Sequence, residues 1–120
     1  MGCMPKFLQL DLNGAILATW SPAFNSTVTP LEIIIADDSN LVIAGQSDLN
    51  SGDVFISKVN SLNGSIIWQR NYGDVFRQEF VRRIALTPDG GFILTGDTYD
   101  NTISDYDIFL LKTDFNGNIK

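Results

Sequence analysis

The chain has no histidine, one cysteine and two glutamates in 120 residues. Without histidine it lacks the commonest metal ligand, the usual general base near neutral pH and the usual axial haem ligand. Cys3 alone forms neither an internal disulfide nor a cysteine zinc site. Glu32 and Glu79 are far apart, and nothing in the sequence puts either in an apolar pocket that would raise its pKa. A pair of acids facing across a glycosidic bond is therefore not legible, and no catalytic residue is expected. No run approaches the ~20 apolar residues of a spanning helix, and no apolar leader core opens the chain. Met1-Gly2-Cys3 has the start of a lipidation pattern, but Lys6 stands where Ser or Thr is required. Basic residues are also scarce: 8 against 14 acidic ones give a net charge of −6. Such a surface repels phosphate backbones and anionic lipid, so neither nucleic acid nor membrane is an expected partner.

What the chain does have is 44% hydrophobic residues, enough for a packed core, and an internal repeat of about fifty residues. Asp37-Asp38-Ser39-Asn40-Leu41-Val42-Ile43-Ala44-Gly45 returns 51 positions later as Pro88-Asp89-Gly90-Gly91-Phe92-Ile93-Leu94-Thr95-Gly96. Asp53-Val54-Phe55-Ile56-Ser57-Lys58 returns 54 positions later as Asp107-Ile108-Phe109-Leu110-Leu111-Lys112. Asn-Gly pairs at 13–14, 63–64 and 116–117 supply residues that tolerate positive φ in tight turns. Short runs of Ile, Val, Phe, Leu and Thr alternate with Asn, Asp, Gly and Ser clusters, and no helical period is sustained. Strands are expected at Phe7–Asp11, Ala15–Trp20, Leu31–Ala36, Leu41–Gln46, Val54–Val59, Ser65–Arg70, Arg82–Thr87, Gly91–Thr98, Asp107–Thr113 and Asn118–Lys120. The best helical candidate is a turn around Val75–Phe80.

Ile33-Ile34-Ile35, Phe92-Ile93-Leu94 and Ile108-Phe109-Leu110-Leu111 are apolar on consecutive residues, which predicts sheets covered on both faces. Antiparallel sheets of this kind, repeating every ~50 residues, are the pattern of propeller blades. The expected fold is all-β: four-stranded antiparallel blades, about two and a half repeats in a single region, forming an incomplete ring. A partial blade spans 6–20, a full blade 31–70 and a nearly full blade 80–120. Two and a half blades leave apolar ends, so the chain is expected to belong to a longer ring or, second, to self-associate, three copies giving about seven units; the alternative is that it is no propeller and its repeats pack as a small sandwich.

Asn60-Ser61-Leu62-Asn63-Gly64-Ser65-Ile66-Ile67-Trp68 resembles the Asp-x-x-Thr-Gly-x-x-x-Trp pattern of quinoprotein-type propellers. Asn60 and Asn63 replace the usual Asp and Thr, whereas Gly64 and Trp68 match. The resemblance implies that the tryptophan docks against the neighbouring blade. Asp11, Asn13 and Gly14 recur in the first unit, but Trp20 lies six rather than four residues after the glycine, which points to a bulge or a degenerate blade. The stretch from Pro88 to Gly96 and that from Asp107 to Asp114 also resemble repeats of large secreted or surface-attached prokaryotic propellers, which implies an extracellular or cell-surface setting.

Oxygen-rich loops give the one metal candidate. Asp97, Asp100, Asp105 and Asp107 crowd one connection, and Asp48, Asn50 and Asp53 the equivalent shorter one. Both suit Ca²⁺ by ligand type, but neither has the Asp-x-Asp-x-Asp-Gly order, and Asp and Asn also simply favour turns. Arg70, Arg77, Arg82 and Arg83 form the only basic cluster, offset by Asp74 and Glu79. The expected function is non-catalytic, a binding or scaffolding module for a protein or carbohydrate ligand, with no resident cofactor. Two alternatives stand beside it: a piece of a quinoprotein-type dehydrogenase propeller, and a self-assembling lectin-like propeller using Trp20, Trp68 and Tyr99.

Overall fold

The structure is a computed structural model that describes residues 5–49 and 52–120. The Met1-Gly2-Cys3 start and Asn50 lie outside the described residues. Nine strands follow in order: β1 (Phe7–Leu10), β2 (Ile16–Trp20), β3 (Val28–Ile35), β4 (Leu41–Ser47), β5 (Val54–Val59), β6 (Ile66–Tyr72), β7 (Arg77–Leu86), β8 (Phe92–Asp100) and β9 (Asp105–Thr113). They form three antiparallel meanders, β1-β2, β3-β4-β5-β6 and β7-β8-β9, and the described residues include no α-helix. The fold is all-β, with sheets of two, four and three strands, and no ring closes among them.

The four-stranded sheet lies between the other two. Val42, Ala44, Val54, Ile56 and Trp68 pack with Val81, Ile84, Phe92 and Leu94 of the three-stranded sheet. Ile43, Phe55 and Val59 pack with Phe24, Val28 and Phe7 on the opposite side. Phe24 meets Phe55 edge-on, ring centres 4.9 Å apart, a favoured aromatic geometry. Covering both faces explains why all six residues of β5 are buried even though side chains alternate along a strand.

The consecutive apolar runs are not all covered. In β3, Ile33 and Ile35 face solvent, and so do Ile108 and Leu110 in β9. The three-stranded sheet has one neighbouring layer, so Ile108 and Leu110 stay open, and β3, the edge strand of the four-stranded sheet, keeps Ile33 and Ile35 outside the cover over β4 and β5. Phe92 and Leu94, by contrast, are fully covered by the middle sheet.

Several boundaries differ from the sequence expectation. The turn expected around Val75–Phe80 is mostly strand, because β7 begins at Arg77. The connection expected to hold the Asp97–Asp107 loop is also mostly strand. Here β8 runs on to Asp100 and β9 starts at Asp105, leaving a tip at 101–104. Tyr99 and Tyr106 pair across these strands with ring centres 4.7 Å apart, the kind of aromatic cross-strand contact that extends a hairpin. At the other end, Asn118–Lys120 contributes only an isolated bridge between Thr113 and Ile119.

Both long meanders bend at a matching place. The β3–β4 register shifts between Pro30 and Glu32, opposite Gly45, and the β7–β8 register shifts between Val81 and Arg83, opposite Gly96. The extra residue pushes backbone towards the partner strand. A Cβ at Gly45 would strike the Thr29 carbonyl oxygen, and one at Gly96 the Phe80 carbonyl oxygen. This close approach accounts for the glycine that recurs after each apolar run. Pro30 sits at the edge-strand bulge, where its missing N–H costs little.

Candidate functional site

The residues singled out from the sequence sort into two seams between sheets and one open face. At each seam a tryptophan covers an Asn-Gly turn. Gly64 has φ +73° and lies under Trp20, and Gly117 has φ +78° and lies under Trp68. A Cβ would stand 2.5 Å from Trp20 Cγ at the first and 2.6 Å from Trp68 Cζ3 at the second. Asn60 Oδ1 accepts the Leu62 and Asn63 amides at 2.8 and 3.3 Å, and Asn63 Oδ1 accepts the Ser65 amide at 2.9 Å. Side-chain oxygens here hold the turn that presents the glycine. Tyr72 reinforces the second seam by donating its hydroxyl to the Gly117 carbonyl.

Trp20 reaches the seam despite its shifted spacing. Ala18 pairs with Gln9, and Trp20, two residues further on, points to the same side of the strand. The bulge expected there is present between Gln9 and Leu10, but β5–β6 carries a similar one between Lys58 and Val59.

A buried lysine, not foreseen from the sequence, completes the second seam. Lys58 is 1% exposed, with Nζ 3.1 Å from Asp38 Oδ2 and 3.3 Å from the centre of the Phe115 ring. A desolvated ammonium needs both a counter-charge and a polarisable face, and it finds one on each side. Burial works to raise the Asp38 carboxyl, but the Asn40 amide and the Lys58 ammonium outweigh it and hold the group below its ordinary value. Lys112 and Asp89 form the same pair at 3.2 Å on the three-stranded sheet, without an aromatic cover. Lys120 also donates to Asp89 at 2.6 Å, the first cause of a carboxyl held far below its usual range, followed by Thr87, the Gly91 amide and Lys112.

Asp97, Asp100, Asp105 and Asp107, the one metal candidate in the sequence, make separate contacts, although Asp100, Asp105 and Asp107 line one cleft. Asp97 takes two bonds from Arg82, at 2.7 and 2.9 Å. Asp100 caps the 101–104 tip by accepting from the Thr102 hydroxyl at 2.6 Å and its amide at 2.8 Å, which lowers its pKa, and meets Arg77 at 3.6 Å. Asp105 and Asp107 bond the amides of Tyr106 and Ile108 that follow them. In the equivalent loop Asp48 is exposed and Asp53 buried. Among the described residues no three His, Cys, Asp or Glu side chains are placed to hold a metal ion.

The basic cluster separates into pairs. Arg77 bonds Asp74 at 2.9 Å, Arg82 bonds Asp97, and Arg83 reaches Glu32 at 3.2 Å. Trp20, Trp68 and Tyr99 likewise lie apart, one in each seam and the third on the β8–β9 hairpin. Trp68 is buried in the core and offers no ring to a sugar.

The open face belongs to the three-stranded sheet. Ile108 is 80% exposed and Leu110 71%, whereas their counterparts in the repeat, Val54 and Ile56, are 2% and 0% exposed beneath that same sheet. Arg83, Ala85, Ile93 and Thr95 join Leu110 around a shallow depression there. Beyond it, Arg77, Asp100, Ile103, Asp105, Tyr106 and Asp107 line a cleft of about 250 Å³ beside the hairpin tip. No helix of the described residues is long and apolar enough to cross a membrane. Neither family models nor curated protein sequences match this chain.

Proposed function

We propose that the chain is a non-catalytic binding and scaffolding module built from propeller-type blades, and that it acts through the open face of its three-stranded sheet. One observation carries this reading: that face repeats, position by position, the face by which the middle sheet is covered. Ile93, Ile108 and Leu110 stand where Val42, Val54 and Ile56 stand, and Lys112–Asp89 stands where Lys58–Asp38 stands. A surface with this pattern accepts another antiparallel sheet, with an aromatic turn residue seated over Lys112 as Phe115 is over Lys58. Further blades in a ring would supply such a sheet, and so would another copy of the chain. In this reading Trp20 and Trp68 are joints between blades and contact no ligand, and an extracellular or surface setting follows from the resemblance of the repeats.

Solution mass tests the face. Alone in solution the chain is expected to scatter light as an assembly larger than 13.3 kDa at about 100 µM, because contiguous apolar faces seek cover. Leu110→Lys is expected to return it to the monomer with its β-sheet circular dichroism unchanged. A wild-type monomer at that concentration, or an assembly indifferent to Leu110→Lys, counts against this face as the docking surface.

A further inference from the structure

Glu79 stands where three strand ends meet. Its amide donates to the Gly52 carbonyl at 2.9 Å, just before β5, and its carboxyl packs beside Asp53 against Gly73, just after β6. A side chain at position 73 would collide with both acids, so the glycine keeps open the gap across which they face each other. Glu79 is only 9% exposed, and its Oε2 has no hydrogen-bond partner among the described residues. An ionised oxygen there would be desolvated, unpaired and repelled by a neighbouring carboxylate.

The other groups around it do little to offset that. Asp74, on the turn between β6 and β7, adds a further negative charge. Among the described residues Arg77 is the one cation acting on it, and its guanidinium is already divided between Asp74 at 2.9 Å and Asp100 at 3.6 Å. Thr98 lies opposite across β7–β8 with a hydroxyl that has no partner among the described residues, and Tyr72 at the end of β6 is committed to Gly117.

We propose that Glu79 and Asp53 share one proton across the Gly73 gap, and that this proton latches the four-stranded sheet to the three-stranded one. With the proton in place, Glu79 Oε2–H donates to the Asp53 carboxylate and the buried oxygen is satisfied. When the proton leaves for solvent, two largely buried anions face each other, and the seam loosens at Gly52 and Gly73. Burial first, then Asp53 and Asp74, push the Glu79 carboxyl up from its ordinary 4.5 to about 7. Between those values the folded chain holds a proton that the unfolded chain lacks. The latch therefore contributes fully below about pH 4.5, weakens as pH rises, and is gone once pH has passed through about 7. The module would grip its neighbouring sheet more firmly in mildly acidic surroundings than in alkaline ones.

Because the chain has no histidine, the window between pH 5 and 8 is otherwise nearly silent, and urea unfolding across it isolates the latch. The wild-type midpoint is expected to be lower at pH 8 than at pH 5. Glu79→Gln, whose amide donates at every pH, is expected to remove that difference. A wild-type midpoint that does not move, or a Glu79→Gln midpoint that falls as far as the wild type, overturns the latch. Should that variant fail to fold, ¹³C carboxyl NMR of the wild-type chain decides, since Glu32 and Glu79 are its only glutamates. One carboxyl titrating near pH 7 upholds the proposal, and two titrating near the ordinary glutamate value refute it.

Discussion

Positions 64 and 117 hold glycine for two reasons that can be separated by experiment. Both have positive φ, where a Cβ costs about 1–2 kcal/mol, and both lie directly beneath an indole ring. Gly14 shares the first condition, with φ +85°, but nothing lies within 4 Å of where its Cβ would stand. Gly14→Ala is therefore expected to cost only the backbone term, and Gly64→Ala at least about 1 kcal/mol more, because Trp20 must move. Equal costs in denaturant titrations would show that the Trp20 contact is not made. In the sequence Gly64 and Trp68 stood out only by resemblance to one motif, and the partners the fold gives them, Trp20 for Gly64 and Gly117 for Trp68, lie in other sheets. The Lys58–Asp38 pair was not legible, because lysine is so seldom fully buried that a sequence gives no reason to place one in a core. Glu79 was misjudged for a related reason. Nothing in Gln78 and Phe80 beside it marks it as buried, and the burial comes from Gly52 and Gly73, which meet it only in the folded chain.

Among the elements, the bulge in β7 carries the clearest energetic claim. Just after the register shift in the edge strand β7, the Ile84 amide donates to Glu32 of β3, whose Oε1 accepts it at 2.8 Å. Its other oxygen meets Arg83, which is largely exposed. Glu32→Ala should leave that amide unpaired and cost about 1–3 kcal/mol. Glu32→Gln keeps the acceptor and should lose under about 1 kcal/mol, the usual worth of an exposed ion pair. Thermal unfolding distinguishes the two, and equal losses would mean that the amide bond contributes nothing. Strand centres were readable from the apolar runs and their turn residues, and β5 agrees at both ends. Strand ends were not. Asp97, Asp100, Asp105 and Asp107 look like loop chemistry in the sequence, yet cross-strand pairing of Tyr99 with Tyr106 and of Asp97 with Ile108 extends the ladder through them.

For the whole molecule, the central claim is that β4 and β5 of the middle sheet are covered on both faces while the three-stranded sheet is covered on one. The fifty-residue period and the consecutive apolar residues pointed to stacked sheets. They did not show which runs would lie open, since that depends on how many layers flank each sheet. Exposure follows layer count: Val54 and Ile56 are hidden, whereas Ile108 and Leu110, their counterparts, are open. Propeller closure goes beyond these three sheets and belongs to the proposal about the open face.

Amide hydrogen exchange on the intact chain tests the covered middle sheet most directly. The account predicts the slowest exchange in the paired amides of β4 and β5, from Val42 to Ala44 and from Phe55 to Ser57, with β1 and β2 among the fastest strands. Exchange in β4 and β5 as rapid as in the β1–β2 hairpin would contradict it.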